Sequence, residues 1–322
     1  MSGPTPYFTP SVLEIRELRR KDLPTYASVM AAGMGPLERA TGLDRTSTEM
    51  MGSLRKPAIW FLFSILRAFG RTLRIYVAVE HSRVLGTASV LFFPNAGVIV
   101  GVATDPMARG QGIATRLMQA AHLAARDARR PWFALDVETN NATAMRVYRR
   151  LGYSEIADFR WFIGAVPTPL PTGSWAVTEV PNSAIRSVAS WVDARRPASL
   201  REPLPANARR LTHLEALFRF PGTESTTWQL GTLSDLRGVV RAIYSPASRT
   251  VYALPAAWEP TLEPEALRSL VDAPIRWARS RGAERVVLAV SGAAASWDSA
   301  LTPLGLKHEV SSTLMARPAA AP

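Results

Sequence analysis

The segment Leu13-Glu-Ile-Arg-Glu-Leu18 alternates apolar and charged residues, a period of two that predicts a strand, and Lys21-Asp-Leu-Pro24 then opens a helix. Arg74–Val79 and Val84–Phe93 are rich in strand formers, and the polar Glu80-His-Ser-Arg83 between them predicts a hairpin. A further strand is expected at Gly97–Thr104. From Gly112 to Arg129 the apolar residues Ile113, Leu117, Ala121 and Ala124 recur at helical spacing, so this run predicts an amphipathic helix. A strand at Trp132–Val137 and a helix at Ala142–Leu151 follow, with Gly152 placed to end the helix in a left-handed conformation. This order of elements predicts an α/β fold with a mixed sheet.

The pattern then breaks. Gly164-Ala-Val-Pro-Thr-Pro-Leu-Pro-Thr-Gly173 alternates prolines through an extended stretch, which reads as a linker over residues 166–173 between domains at 12–165 and 174–317. Beyond it the later half of the first pattern recurs. Strands are expected at Thr227–Leu233, Gly238–Tyr244 and Thr250–Leu254, a helix at Glu263–Arg281, a strand at Arg285–Val290 and a helix at Ala294–Leu301, with Gly305 standing where Gly152 stood.

Composition narrows the class. With 47% hydrophobic and 20% charged residues among 322, the chain can build two cores and is not a disordered one. The absence of cysteine excludes disulfides, thiolate metal sites and a cysteine nucleophile, and it suits a reducing cytoplasm. The N-terminus lacks the basic-then-apolar order of a secretory signal, so a cytoplasmic protein is expected. A net charge of +12 invites a phosphate-rich partner, but it is spread over both halves and only Lys21, Lys56 and Lys307 are lysines, which argues against nucleic acid. His81, His122, His213 and His308 show no metal-ligand spacing, and no Gly-x-Ser-x-Gly elbow is present, so neither a metal nor an acyl-serine is expected.

Chemistry concentrates in Asp105-Pro-Met-Ala-Arg-Gly-Gln-Gly-Ile-Ala-Thr115, a glycine-containing loop between a strand and a helix start. Such a loop can present free N–H groups to a phosphate, aided by the helix dipole. Arg109-Gly-Gln-Gly112-Ile-Ala114 fits the pattern Arg/Gln-x-x-Gly-x-Gly/Ala, and Asn141, Tyr148 and Leu151-Gly152-Tyr153 follow in order. In these features, over about residues 12–165, the chain resembles the GCN5-related N-acetyltransferase (GNAT) family.

The resemblance implies that acetyl-coenzyme A is the co-substrate, with acetyl passing directly to an amine acceptor, a small molecule or peptide, in a ternary complex. Val102, Ala103 and Thr104 would pair with the acetyl and pantetheine portions. Arg109 and Gly110, Gln111, Gly112, Ile113, Ala114 and Thr115 would hold the pyrophosphate, and Asn141 would contact the cofactor or simply cap its helix. Tyr148 would donate a proton to the departing sulfur. Asp136 would accept the amine proton, with Glu138, on the same face of its strand, the second candidate. Counting back from Gly305 places Leu301, Ala294 and Ala289 where Tyr148, Asn141 and Asp136 stood, and the loop Pro255–Pro264 is acidic and lacks the glycines. The second half therefore reads as a degenerate repeat, two GNAT-like mixed-sheet domains in tandem, as in bacterial two-domain members. A non-catalytic acyl-coenzyme A-binding regulator would keep the loop without needing Tyr148 or Asp136, and a basic nucleic-acid scaffold would need neither. Acceptor choice in the family lies in about residues 22–73. There the apolar run Pro57–Leu66, too short to span a bilayer, reads as a packed helix, an acceptor pocket or an interfacial anchor.

Overall fold

The computed structural model describes residues 13–44, 52–61, 64, 73–168, 175–218, 222–291 and 295–319. In chain order the elements are β1 (Glu14–Glu17), α1 (Leu23–Gly33), α2 (Pro36–Thr41), β2 (Leu73–Glu80), β3 (Arg83–Phe92), β4 (Ala96–Thr104) and α3 (Ile113–Asp127). There follow β5 (Trp132–Glu138), α4 (Ala142–Arg150), β6 (Ser154–Ala165), β7 (Val177–Glu179) and α5 (Ile185–Arg195). The last group is β8 (Glu224–Gly231), β9 (Leu236–Ser245), β10 (Thr250–Trp258), α6 (Pro264–Arg279), β11 (Arg285–Ser291), α7 (Ala295–Leu301) and β12 (Lys307–Pro318). The fold is α/β, and no described helix is long and apolar enough to cross a membrane.

Two compact units result, and they are not the two segments on either side of the proline-rich stretch. The first comprises residues 1–34, 50–92 and 97–129; the second takes 35–49, 93–96 and 130–322. In the first unit β1, β2, β3 and β4 form an antiparallel meander. Alternate residues face opposite sides, so Ile75, Val77 and Val79 pack with Leu23, Tyr26 and Val29 of α1, while Ala78 and Ala88 pack with Ile113 and Leu117 of α3. Gly86 admits α3 to this face, since a Cβ there would lie 2.7 Å from the Ile113 side chain. The hairpin turn sits at His81 and Ser82, both at positive φ (47° and 63°).

In the second unit the strand order is β5-β12-β6-β11-β10-β9-β8-β7, antiparallel except for the parallel pair β10 and β11. The sequence patterns locate the elements from β8 to α7 to within a few residues, but they predict neither β7 and α5 nor the two strands β6 and β12. Those two strands account for the different partition. β12 pairs with β5 on one side and β6 on the other, and β6 pairs in turn with β11, so backbone ladders join elements from both halves of the sequence. The largest core of this unit lies between α6 and the sheet, around Val240, Ala242, Leu267, Leu270, Val286, Leu288 and Trp297. A second cluster under α5 holds Val188, Val192, Leu211 and Val239 on the opposite face.

Candidate functional site

In the first unit, β4 ends in a β-bulge. Thr87 pairs with Ala103 and Ser89 with Val100, so β4 spends three steps where β3 spends two, and Gly101 takes φ +62° within the extra turn. The bulge takes Gly101 and Val102 out of the ladder just before Ala103 and Thr104, next to the loop. Asp105 then starts the loop: its carboxylate accepts the Met107 N–H (3.0 Å) and an Arg83 N–H (2.6 Å), and these contacts hold it below the ordinary carboxylate range.

Gly110 and Gly112 adopt φ +79° and +74°, and a Cβ on either would meet nothing within 4 Å. The first number explains why glycine stands there, and the second shows that the backbone faces open space. Gly112 is also the N-cap of α3 and offers no side-chain oxygen to the first turn. The opening N–H groups of α3 thus lack the usual side-chain acceptor, and no acidic side chain sits in that turn to oppose an anion. Arg109 and Gln111 are exposed beside them, while Ile113 is buried and anchors the helix start. Residues 57–61 of the apolar run are helical; Trp60 packs on the α1 core, whereas Phe61 is 67% exposed. Residues 62, 63, 65 and 66 of that run lie outside the described residues.

The second unit carries the proton-handling candidates. Tyr148 lies on the inner face of α4, 7% exposed, with the Tyr153 ring 6.1 Å away. Burial pushes its phenol up to about 12, and among the described residues no protein group hydrogen bonds to its hydroxyl. Asn141 caps α4, its Oδ1 accepting the Ala144 N–H at 3.1 Å. That is the helix-cap alternative of the sequence; a cofactor contact is compatible with it.

Asp136 and Glu138 alternate along β5, while Leu135 and Val137 are buried on its other face. Both Asp136 carboxyl oxygens are sealed from water and lack a hydrogen bond of full geometry. Burial drives its pKa up to about 7, and the charge of Glu38 adds to this; the Ser312 hydroxyl and the Val137 N–H favour the ionised form but do not offset them. Ser312 is held by Trp161, whose Nε1–H donates to its Oγ at 2.9 Å. Glu138 is differently placed. It accepts the Leu37 N–H at 2.7 Å, and burial, with Glu38 nearby, raises its pKa.

Glu38, Ser312 and Trp161 were not singled out by sequence patterns. Glu38 carried one readable signal, a glutamate three residues after the N-cap Gly35, where its carboxylate accepts the Gly35 N–H (2.8 Å). At the repeat positions of the second half, Leu301 and Ala289 are buried core residues, and Ala294 lies outside the described residues. β10 and β11 pair only from Thr250 to Ala253 and then part, and β10 has a register shift between Pro255 and Ala257 like that of β4. Trp297 packs edge-on against Trp258 at 5.2 Å in the core beyond the parting.

A bulged strand followed by a glycine loop at an uncapped helix start is an arrangement that can receive a phosphate-bearing ligand. Residues 44–153, about a third of the chain, match the model of the Acetyltransferase (GNAT) family. A GCN5-related N-acetyltransferase from Sphaerobacter thermophilus superposes with a TM-score of 0.63 at 16% identity, over 95% of this chain and 96% of that one. A tandem GNAT protein from the clavulanic acid biosynthesis pathway superposes with a TM-score of 0.58 at 16% identity, over 97% of this chain and all (100%) of that one. At such identities the likeness concerns the fold, which is that of a tandem GNAT protein. No curated protein matches the chain in sequence.

Proposed function

We propose that the protein is an acyl-coenzyme A-dependent N-acyltransferase that passes acetyl from acetyl-coenzyme A directly to an amine in a ternary complex. The observation that carries this reading is the pair Gly110 and Gly112, left-handed, open to space and placed at the uncapped start of α3. Bound acetyl-coenzyme A supplies an activated thioester. The amides from Gly110 to Thr115, with Arg109, hold its pyrophosphate, and the backbone of Val102, Ala103 and Thr104 pairs with the pantetheine arm. A cofactor contact from Asn141 would add to its capping role.

Tyr148 donates its phenolic proton to the sulfur as the carbon–sulfur bond breaks. A phenol at about 12 stays protonated across the working range, so it is always loaded as a donor. Asp136 accepts the proton that the amine loses as the new carbon–nitrogen bond forms, and a carboxylate near 7 is matched to that task around neutral pH. We read residues 174–317 as a degenerate repeat that binds no cofactor, since the buried Leu301 and Ala289 offer no polar group and the loop before α6 is acidic.

The deciding experiment incubates the purified chain with acetyl-coenzyme A and a panel of amines, peptides, aminoglycosides and polyamines, and follows thiol release. Turnover that depends on one amine class, and is lost in Gly112→Asp, supports the reading. Tight acetyl-coenzyme A binding without acylation of any amine would instead make the protein a cofactor-binding regulator.

A further inference from the structure

α2 is six residues long, too short to persist on its own, and besides the local contact of Glu38 with the Gly35 N–H it is held at both ends by residues remote in sequence. At its start, Glu138 Oε1 takes the Leu37 N–H at 2.7 Å. Gly35 leaves room for this, because a Cβ there would lie 2.4 Å from the same oxygen. At its end the carbonyls of Ala40 and Thr41 have no helical partner of their own. Arg285 donates to the Ala40 carbonyl, and the Tyr252 hydroxyl donates to the Thr41 carbonyl at 3.0 Å. Both donors belong to the second half of the sequence, Tyr252 on β10 and Arg285 at the start of β11.

The Tyr252 contact is well braced. Tyr252 is 1% exposed and Phe218 stacks on its ring at 4.0 Å and 17°, with Trp161 edge-on to Phe218. Gly42, at φ +78°, then turns the chain away beside Ser248, Thr250 and Tyr252. One short helix therefore links the carboxylate strand β5 at its start to β10 and β11 at its end.

We infer that the second half serves as a positioning module, in which Tyr252 and Arg285 fix α2 and α2 in turn fixes Glu138 and Glu38 beside Asp136. This gives the degenerate half a task beyond packing, and its catalytic meaning rests on the acyltransferase reading. Tyr252 and Arg285 are positioning residues; neither touches the reacting groups.

The test uses the full chain with Tyr252→Phe and, separately, Arg285→Met. The first keeps the ring and its stacking and removes one hydroxyl. Hydrogen exchange followed by mass spectrometry should show residues 36–42 exchanging about tenfold faster, the change expected from losing one hydrogen bond, with α6 unchanged. In the same variants kcat/KM for the acceptor should fall about tenfold, while the acetyl-coenzyme A Kd by calorimetry stays at the wild-type value. Unchanged exchange over 36–42, or a rise shared equally by α6, overturns the clamp whether or not the enzyme reading holds. Selective loosening of 36–42 with wild-type acceptor kinetics overturns its link to catalysis. A wild-type chain that binds acetyl-coenzyme A and acylates no amine sinks the acyltransferase reading, and the exchange result still decides the clamp.

Discussion

Asp136→Asn should make the protein more stable while impairing turnover, and the stability gain should depend on pH in a calculable way. A carboxyl raised from its ordinary 3.8 to about 7 costs the folded state about 4 kcal/mol once it ionises. The sign follows from proton binding. Between about pH 4 and 7 the folded chain holds a proton that the unfolded chain has released, so Asp136 lowers stability progressively as pH rises and the loss levels off above about 7. Asparagine does not titrate, and its buried amide, with the same poor hydrogen bonding, carries a roughly constant cost of about 1–3 kcal/mol. Between pH 5 and pH 8 the variant's advantage should therefore grow by about 2.5 kcal/mol, independent of that amide cost. Urea unfolding of both proteins at a series of pH values from 5 to 8 measures the difference directly. A difference that stays flat with pH would mean that Asp136 titrates like an ordinary carboxylate, and the argument from burial would fail with it. Turnover supplies the other half of the prediction: the rate deficit of Asp136→Asn should be greatest near pH 7–8 and shrink toward the acceptor's own pKa, where the amine is already neutral.

Calorimetry should find one acetyl-coenzyme A per chain. Gly112→Asp should weaken that binding by at least about tenfold, because left-handed backbone costs a residue with a Cβ about 1–2 kcal/mol and the new carboxylate faces the pyrophosphate; two equivalent sites, or undiminished affinity, would contradict this. Tyr148→Phe should lower kcat about a hundredfold with little change in acetyl-coenzyme A affinity, and an unchanged kcat under chemistry-limited conditions would assign the ring to packing alone. Trp297→Ala, which empties a side chain 1% exposed in the core beneath α6, should cost about 3–5 kcal/mol of stability and leave acetyl-coenzyme A stoichiometry at one in calorimetry below the transition.

Local features of the chain were legible from residue order because local interactions create them. The hairpin turn at His81-Ser82, the amphipathic run of α3 and the left-handed stop at Gly152 each depend on neighbours a few residues apart, and each lies where the pattern predicts it. The glycine loop belongs to the same class, since positive φ at Gly110 and Gly112 is a demand on single residues.

What the sequence left open depends on contacts between distant segments. β6 and β12 show no clean alternation, because successive residues such as Trp161-Phe162-Ile163 and Leu314-Met315-Ala316 are buried on both faces, and β12 meets β5 in a ladder such as Leu314 with Asp136 that no local pattern encodes. For the same reason the proline-rich stretch did not mark the boundary between compact units: hydrogen-bond ladders of β12 and β6 tie residues from 130 onward to the second half. The chemistry divides in the same way. The resemblance to the GNAT family selected Asp136 and Tyr148 as candidates, but the burial that moves their pKa values, the charge of Glu38 near Asp136 and the grip of Tyr252 on α2 arise only when strands far apart in sequence are packed together.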